Sequence, residues 1–171
     1  MPNTWYKVDN VAKVFLASVT RRDPRVFRIS CTLTEDIDPD ALAAALQRTA
    51  GDLPNFQVTL HRGLFWHYLE ASGKCPRPEP EHRRPCAAIY GRDIKNELLY
   101  RVSYYGARIN VEMFHALSDG NGGLLFLKVL VHNYLALRHP DELEGVARDE
   151  GASAADMAED SFQQFYARRK A

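Results

Sequence analysis

Two alternating runs meet at Gly106–Ala107 and lead directly into one long apolar helical pattern. In "ARINVEMFH", Ile109, Val111 and Met113 alternate with Asn110, Glu112 and Phe114. That period of two predicts a strand with one face turned to a core. "NELLYRVSYYG" before it predicts the antiparallel partner, with the turn at Gly106–Ala107. Then "DGNGGLLFLKVLVHNYLALR" changes period. Leu124, Leu127, Val131 and Tyr134 fall on one helical face, with Leu130 and Leu137 nearby, and Pro140 stops the pattern. A hairpin that feeds straight into a long helix must lay that helix across its own sheet.

The rest of the chain fits the same plan. "RVFRISCTL" (25–33) predicts a strand. "DIDPDALAAALQRTA" predicts a helix with Asp38 as N-cap and Pro39 in the first turn. Its apolar face is Leu42, Ala45, Leu46 and Thr49, and Gly51 is placed to end it. "FQVTLHR" and "LFWHYLE" predict a second hairpin around Gly63. Residues 74–85, with four prolines, predict a loop or an edge. The expected fold class is α/β (α+β), a two-layer sandwich of mostly antiparallel sheet with helices on one face. From Asp141 the chain turns acidic and small-residue-rich, which predicts a linker over 141–171 ending in a short helix at "SFQQFYARRKA".

Composition excludes some functions. The 171 residues carry 22 Lys plus Arg and 22 Asp plus Glu. Net neutrality argues against a protein that grips nucleic acid through its phosphates. Three cysteines, Cys31, Cys75 and Cys86, do not suggest a secreted disulfide framework. No apolar run reaches spanning length and the N-terminus is polar, so a soluble cytoplasmic protein is expected. Cys75, His82 and Cys86 share a loop, but three ligands without paired spacing are a poor zinc site. The glycines of "DGNGG" lack both P-loop and dinucleotide-loop spacing.

The chemistry concentrates in "VEMFHALSDGNGG" (111–123). His115 stands where strand becomes helix, a position held by the scaffold and open to a cleft. Its imidazole can take and return a proton near neutral pH. Asp119 can cap the helix, and Gly120, Gly122 and Gly123 permit positive φ and close backbone approach. Ser118 can donate a hydrogen bond near His115, or serve the turn. Turn chemistry explains every residue here except the histidine. His-x-x-x-Asp-Gly arises by chance in on the order of one chain in a hundred of this length.

"HALSDG" (115–120) resembles the signature of the chloramphenicol acetyltransferase-like superfamily of coenzyme A-dependent acyltransferases, which includes condensation domains and alcohol acetyltransferases. "FRISCTLTEDIDPDALAAALQRT", "GLFWHYLE", "YRVSYYGARINVEMFHALSDGNGGLLFLKVLVHNYL" and "AEDSF" resemble its bacterial alcohol acetyltransferase-like branch. Phe114 stands where condensation domains usually carry a second histidine. The resemblance spans about residues 25–165. It implies an N-terminal lobe over 1–140, followed in relatives by a second lobe across an active-site channel. His115 would be the general base, acting on an acyl-CoA co-substrate and a hydroxyl or amine acceptor. Asp119 and Gly120 would be structural, Asp119 pairing with an arginine for which Arg25, Arg28 and Arg101 are candidates, and no metal would be needed. A single lobe would be inactive alone, completed by its C-terminal lobe or by self-association. The alternative is a non-catalytic interaction module that keeps the lobe fold.

Overall fold

The computed structural model describes residues 5–8, 10–20, 22–63, 66–74, 76–82, 84–90 and 97–143. In chain order the elements are β1 (Trp5–Lys7), α1 (Asn10–Ser18), β2 (Val26–Thr32), α2 (Pro39–Asp52), β3 (Val58–Arg62), β4 (His67–Ala71), β5 (Glu79–Pro80), β6 (Tyr100–Tyr105), β7 (Arg108–Phe114), α3 (Gly120–Arg138) and α4 (Pro140–Leu143). A four-stranded sheet runs β2-β7-β6-β5 and a three-stranded sheet runs β1-β4-β3. An isolated antiparallel bridge pairs Thr59 of β3 with Leu98, two residues before β6. All pairings are antiparallel except β5 with β6. The mixed α/β sandwich expected from the sequence is the observed fold, and the proline-rich stretch contributes its two-residue edge strand.

The hairpin β6–β7 sets the centre. Gly106 turns it at φ 52°, a conformation that costs a residue with a Cβ about 1–2 kcal/mol. Register pairs Val102 with Val111, Tyr100 with Met113 and Ile29 with Val111. These residues share one face, against which α2 and α3 pack through Leu42, Leu46, Phe126, Leu130 and Tyr134. Helix α2 is built as its residues require. Asp38 accepts from the Asp40 and Ala41 N–H groups, and the buried side chains are Leu42, Ala45, Leu46 and Thr49. Tyr134 Oη accepts the Asp38 N–H at 2.9 Å, which ties the start of α2 to the last turns of α3.

Two expectations change. Gly51 lies inside α2, which runs to Asp52 with Leu53 as its cap. Leu124 is 43% exposed and not part of the α3 core face. Leu127, Leu130 and Tyr134 of the expected face are buried, and Phe126, Val129 and Asn133 are buried with them, so the face is wider than leucine spacing implied. The polar N-terminus contributes β1 and α1. Ala12, Phe15 and Leu16 of α1 join Val58, Leu60, Phe114 and Ala116 in a second apolar cluster. The linker begins as the single turn α4, and residues 144–171, including the expected terminal helix, lie outside the described residues.

Candidate active site

His115 is the first residue past β7. Its N–H donates to the Arg25 carbonyl at 2.9 Å, so the ladder between β2 and β7 extends one pair beyond Val26–Phe114. The Leu117 N–H then returns to the Phe114 carbonyl at 2.8 Å and closes a turn. The imidazole lies between two phenyl rings. Phe15 stacks on it at 4.6 Å with 10° between planes, and Phe27 contacts it at 4.6 Å and 44°. Nδ1 is buried without a hydrogen-bond partner among the described residues.

Asp119 caps α3. Its Oδ1 accepts the Gly122 N–H at 2.9 Å, and its carbonyl accepts the Gly123 N–H at 3.0 Å. Among the described residues no arginine pairs with it. Arg25 pairs with Asp23, and Arg28 and Arg101 pair with Glu112. Within the described residues Asp119 acts as a cap, a role the turn chemistry already offered. Gly120 has neither a positive φ nor a neighbour within 4 Å of an added Cβ. Close approach is needed further on: a Cβ on Gly123 would stand 2.7 Å from the Phe27 ring, and one on Gly122 would meet Ser118 Oγ. Ser118 makes no hydrogen bond to His115 among the described residues. Its hydroxyl fills the space beside Gly122.

Behind β7, on the face away from α3, lies a charged layer the sequence reading did not find. Glu112 is 2% exposed. It sits cross-strand from Arg28 on β2 and Arg101 on β6. Arg28 Nε donates to its Oε1 at 2.8 Å, Arg101 Nε to its Oε2 at 2.5 Å, and the Cys86 N–H to Oε1 at 2.7 Å. Glu81 joins through Arg28 at 2.5 Å and Arg108 at 2.8 Å. Burial alone would raise the Glu112 carboxyl. The Cys86 N–H and the two guanidiniums outweigh it and hold the group below its ordinary range. Glu81 is lowered by its bonds to Arg28 and Arg108. This layer holds residues 79–82 and 84–90 onto the sheet. Arg101 also donates to the Ala87 carbonyl, and Tyr90 stacks on Phe114, the residue before His115. The available signal was a glutamate at an interior strand position flanked in register by two arginines.

Among the described residues no group of His, Cys, Asp and Glu could hold a metal ion. Cys75 lies outside them, Cys31 and Cys86 are free thiols, and burial, then the Glu112 charge, pushes the Cys86 thiol up. No described helix is long and apolar enough to cross a membrane.

Neither the known protein families nor the curated protein sequences yield a match. Solved structures do. The starter condensation domain of rhizomide synthetase RzmA superposes with a TM-score of 0.67 at 14% identity, over 98% of this chain and 46% of that one. The chain shares its fold with part of a condensation domain. The same condensation domain as an R148A mutant, in complex with C8-CoA, gives a TM-score of 0.69 at 14% identity, covering 98% of this chain and 43% of that one. Polyketide synthase associated protein 5 from Mycobacterium tuberculosis gives 0.55 at 18% identity, covering 80% and 34%. Condensation domains belong to the coenzyme A-dependent acyltransferase superfamily that "HALSDG" resembles. The chain spans less than half the length of these condensation-fold structures.

Proposed function

We propose that the chain is the N-terminal lobe of an acyl-CoA-dependent acyltransferase of the alcohol O-acetyltransferase type, with His115 as general base. The observation that carries this reading is the ring of His115. It stands at a strand end of a condensation fold, in contact with the rings of Phe15 and Phe27, with Nδ1 buried; in this reading Nε2 is the nitrogen that meets the ligand. In the reaction, Nε2 takes the proton of an acceptor hydroxyl or amine. The acceptor oxygen or nitrogen bonds to the thioester carbonyl carbon, the C–S bond breaks, and the imidazolium returns the proton to the departing thiolate. A thioester is already activated, so a placed base and an oxyanion donor suffice. Base action at Nε2 requires the proton on Nδ1, so an acceptor for that buried N–H must be supplied when the substrate site forms. Residues 1–140 form the lobe in this reading and 141–171 lead onward. The second half of the channel comes from a C-terminal lobe or from another copy.

The test is acceptor-dependent thiol release. In its native polypeptide context the protein is expected to free thiol from acetyl- or octanoyl-CoA only when a primary alcohol or amine is present. Release without acceptor, or none with any acceptor, contradicts the proposal.

A second reading, an interaction module without catalysis, draws on Val14 and Leu124. These large apolar side chains are exposed on the helices that carry Phe15 and follow Asp119. Sedimentation separates the two: concentration-dependent association without thioester turnover favours the module.

A further inference from the structure

A histidine that moves protons is ordinarily oriented by the group that bonds its second ring nitrogen. His115 has no such group among the described residues, since its buried Nδ1 makes no hydrogen bond. The torsion that sets the plane of a histidine ring is intrinsically broad. Something other than a polar partner therefore has to fix the plane of this imidazole, and two phenyl rings lie against it.

Phe27 reaches His115 from β2. It pairs with Met113, and the next pair along joins Arg25 to His115, so Phe27 is the diagonal neighbour of His115 on the same face of the sheet. Its ring contacts the imidazole at 4.6 Å and 44°. It cannot withdraw toward α3, because a Cβ on Gly123 would already stand 2.7 Å from Phe27 Cε2.

Phe15 reaches His115 from α1. Its ring lies 4.6 Å from the imidazole with only 10° between planes, a stacked arrangement. The helix that carries it is seated on the residues either side of His115: Ala12, Phe15 and Leu16 share one apolar cluster with Phe114 and Ala116. An aliphatic side chain would fill that cluster as well, but it offers no plane. The parallel stack supplies what packing alone does not require.

We propose that Phe15 is a positioning residue for His115: its ring, together with that of Phe27, sets the plane of the imidazole and so the direction in which Nε2 points. This rests on the reading of His115 as the base, and it brings α1, which precedes the stretch that resembles acyltransferases, into the working site. The rings set the plane and not the tautomer, so the acceptor for the Nδ1 proton remains a part of the completed site.

The experiment is acceptor-dependent thiol release from acyl-CoA, in the native polypeptide context, by the parent protein, Phe15→Leu and Phe15→Tyr. Alongside it, NMR of ring-labelled histidine follows the His115 protons, assigned by their loss in His115→Ala. Phe15→Leu keeps an apolar side chain and removes the flat face; Phe15→Met serves if the leucine variant unfolds. A fall in kcat of about ten- to hundredfold at unchanged KM is expected, with turnover restored in Phe15→Tyr. The His115 ring protons are expected upfield in the parent and in Phe15→Tyr, from the ring current of the stacked face, and downfield of this in Phe15→Leu. Parental kcat in the leucine or methionine variant overturns the proposal, and so do unmoved His115 resonances. Equal losses in Phe15→Leu and Phe15→Tyr, or a raised KM at unchanged kcat, overturn it too. A parent without acceptor-dependent release overturns the base reading, and the positioning role falls with it. An active parent beside an equally active Phe15→Leu overturns the positioning role alone.

Discussion

Replacing Gly123 by alanine drives a methyl group to 2.7 Å from the Phe27 ring, which itself lies against His115. The expected cost is about 1–3 kcal/mol, from overpacking at a site with no free volume. Gly120→Ala meets nothing and is expected to be neutral or slightly stabilising, since alanine favours helix. Urea denaturation of the two variants checks the contrast; equal midpoints would mean that α3 approaches β2 less closely than described. Glu112 sets a second test. Glu112→Gln removes the buried anion of Arg101 and one of the two carboxylates that hold Arg28, which keeps Glu81, with an expected loss of about 3 kcal/mol. The pH dependence follows from the same group. Its folded carboxyl lies below its ordinary value of 4.5, and that of Glu81 does too. The stability they contribute is therefore present above about pH 4.5 and lost as pH falls through the lower folded values. Glu112→Gln is expected to flatten that acid limb. An unchanged slope below pH 4.5 would assign acid unfolding to other carboxylates.

At the scale of elements, α2 and α3 are stapled by hydrogen bonds at both ends of α2: the Asp38 N–H donates to Tyr134 Oη at its start, and Asn133 Nδ2 donates to Thr49 Oγ1 and Asp52 Oδ2 near its end. Tyr134→Phe orphans the Asp38 N–H at the start of α2 and is expected to cost about 1–3 kcal/mol without moving the helix. Calorimetry on the variant reads it, and an unchanged melting temperature would remove the staple. Much of this layer was legible in the sequence. Period-two alternation marked β2, β6 and β7, and Asp38, Pro39 and the Leu42–Thr49 face marked α2, because local chemistry and tertiary packing agree there. The α3 face was misread at Leu124 because leucine spacing alone does not say where the sheet lies. Helix α1 was missed because Asn10–Ser18 is short and its partners, Phe114 and Ala116, are about a hundred residues away. That omission bears on the site, since α1 supplies the Phe15 ring. His115, Asp119 and the glycine turn were visible as a motif, whereas the Glu112 layer exists only once register sets Arg28 and Arg101 beside it.

For the whole molecule, one sheet separates two tasks. On one side the apolar face with α2 and α3 carries the stability and fixes the strand end. On the other, charged residues hold Glu81, Cys86 and Ala87 down, and Tyr90 stacks on Phe114. His115 emerges between these layers, so its position depends on both. The central claim is that this histidine is a base and not a packed ring. The most direct measurement is thiol release from acyl-CoA, in the native polypeptide context, by the unsubstituted protein and by His115→Ala with its melting temperature measured alongside. The expected result is a loss of about 10²–10⁴-fold in turnover at an unchanged fold. Turnover retained in His115→Ala would contradict the account.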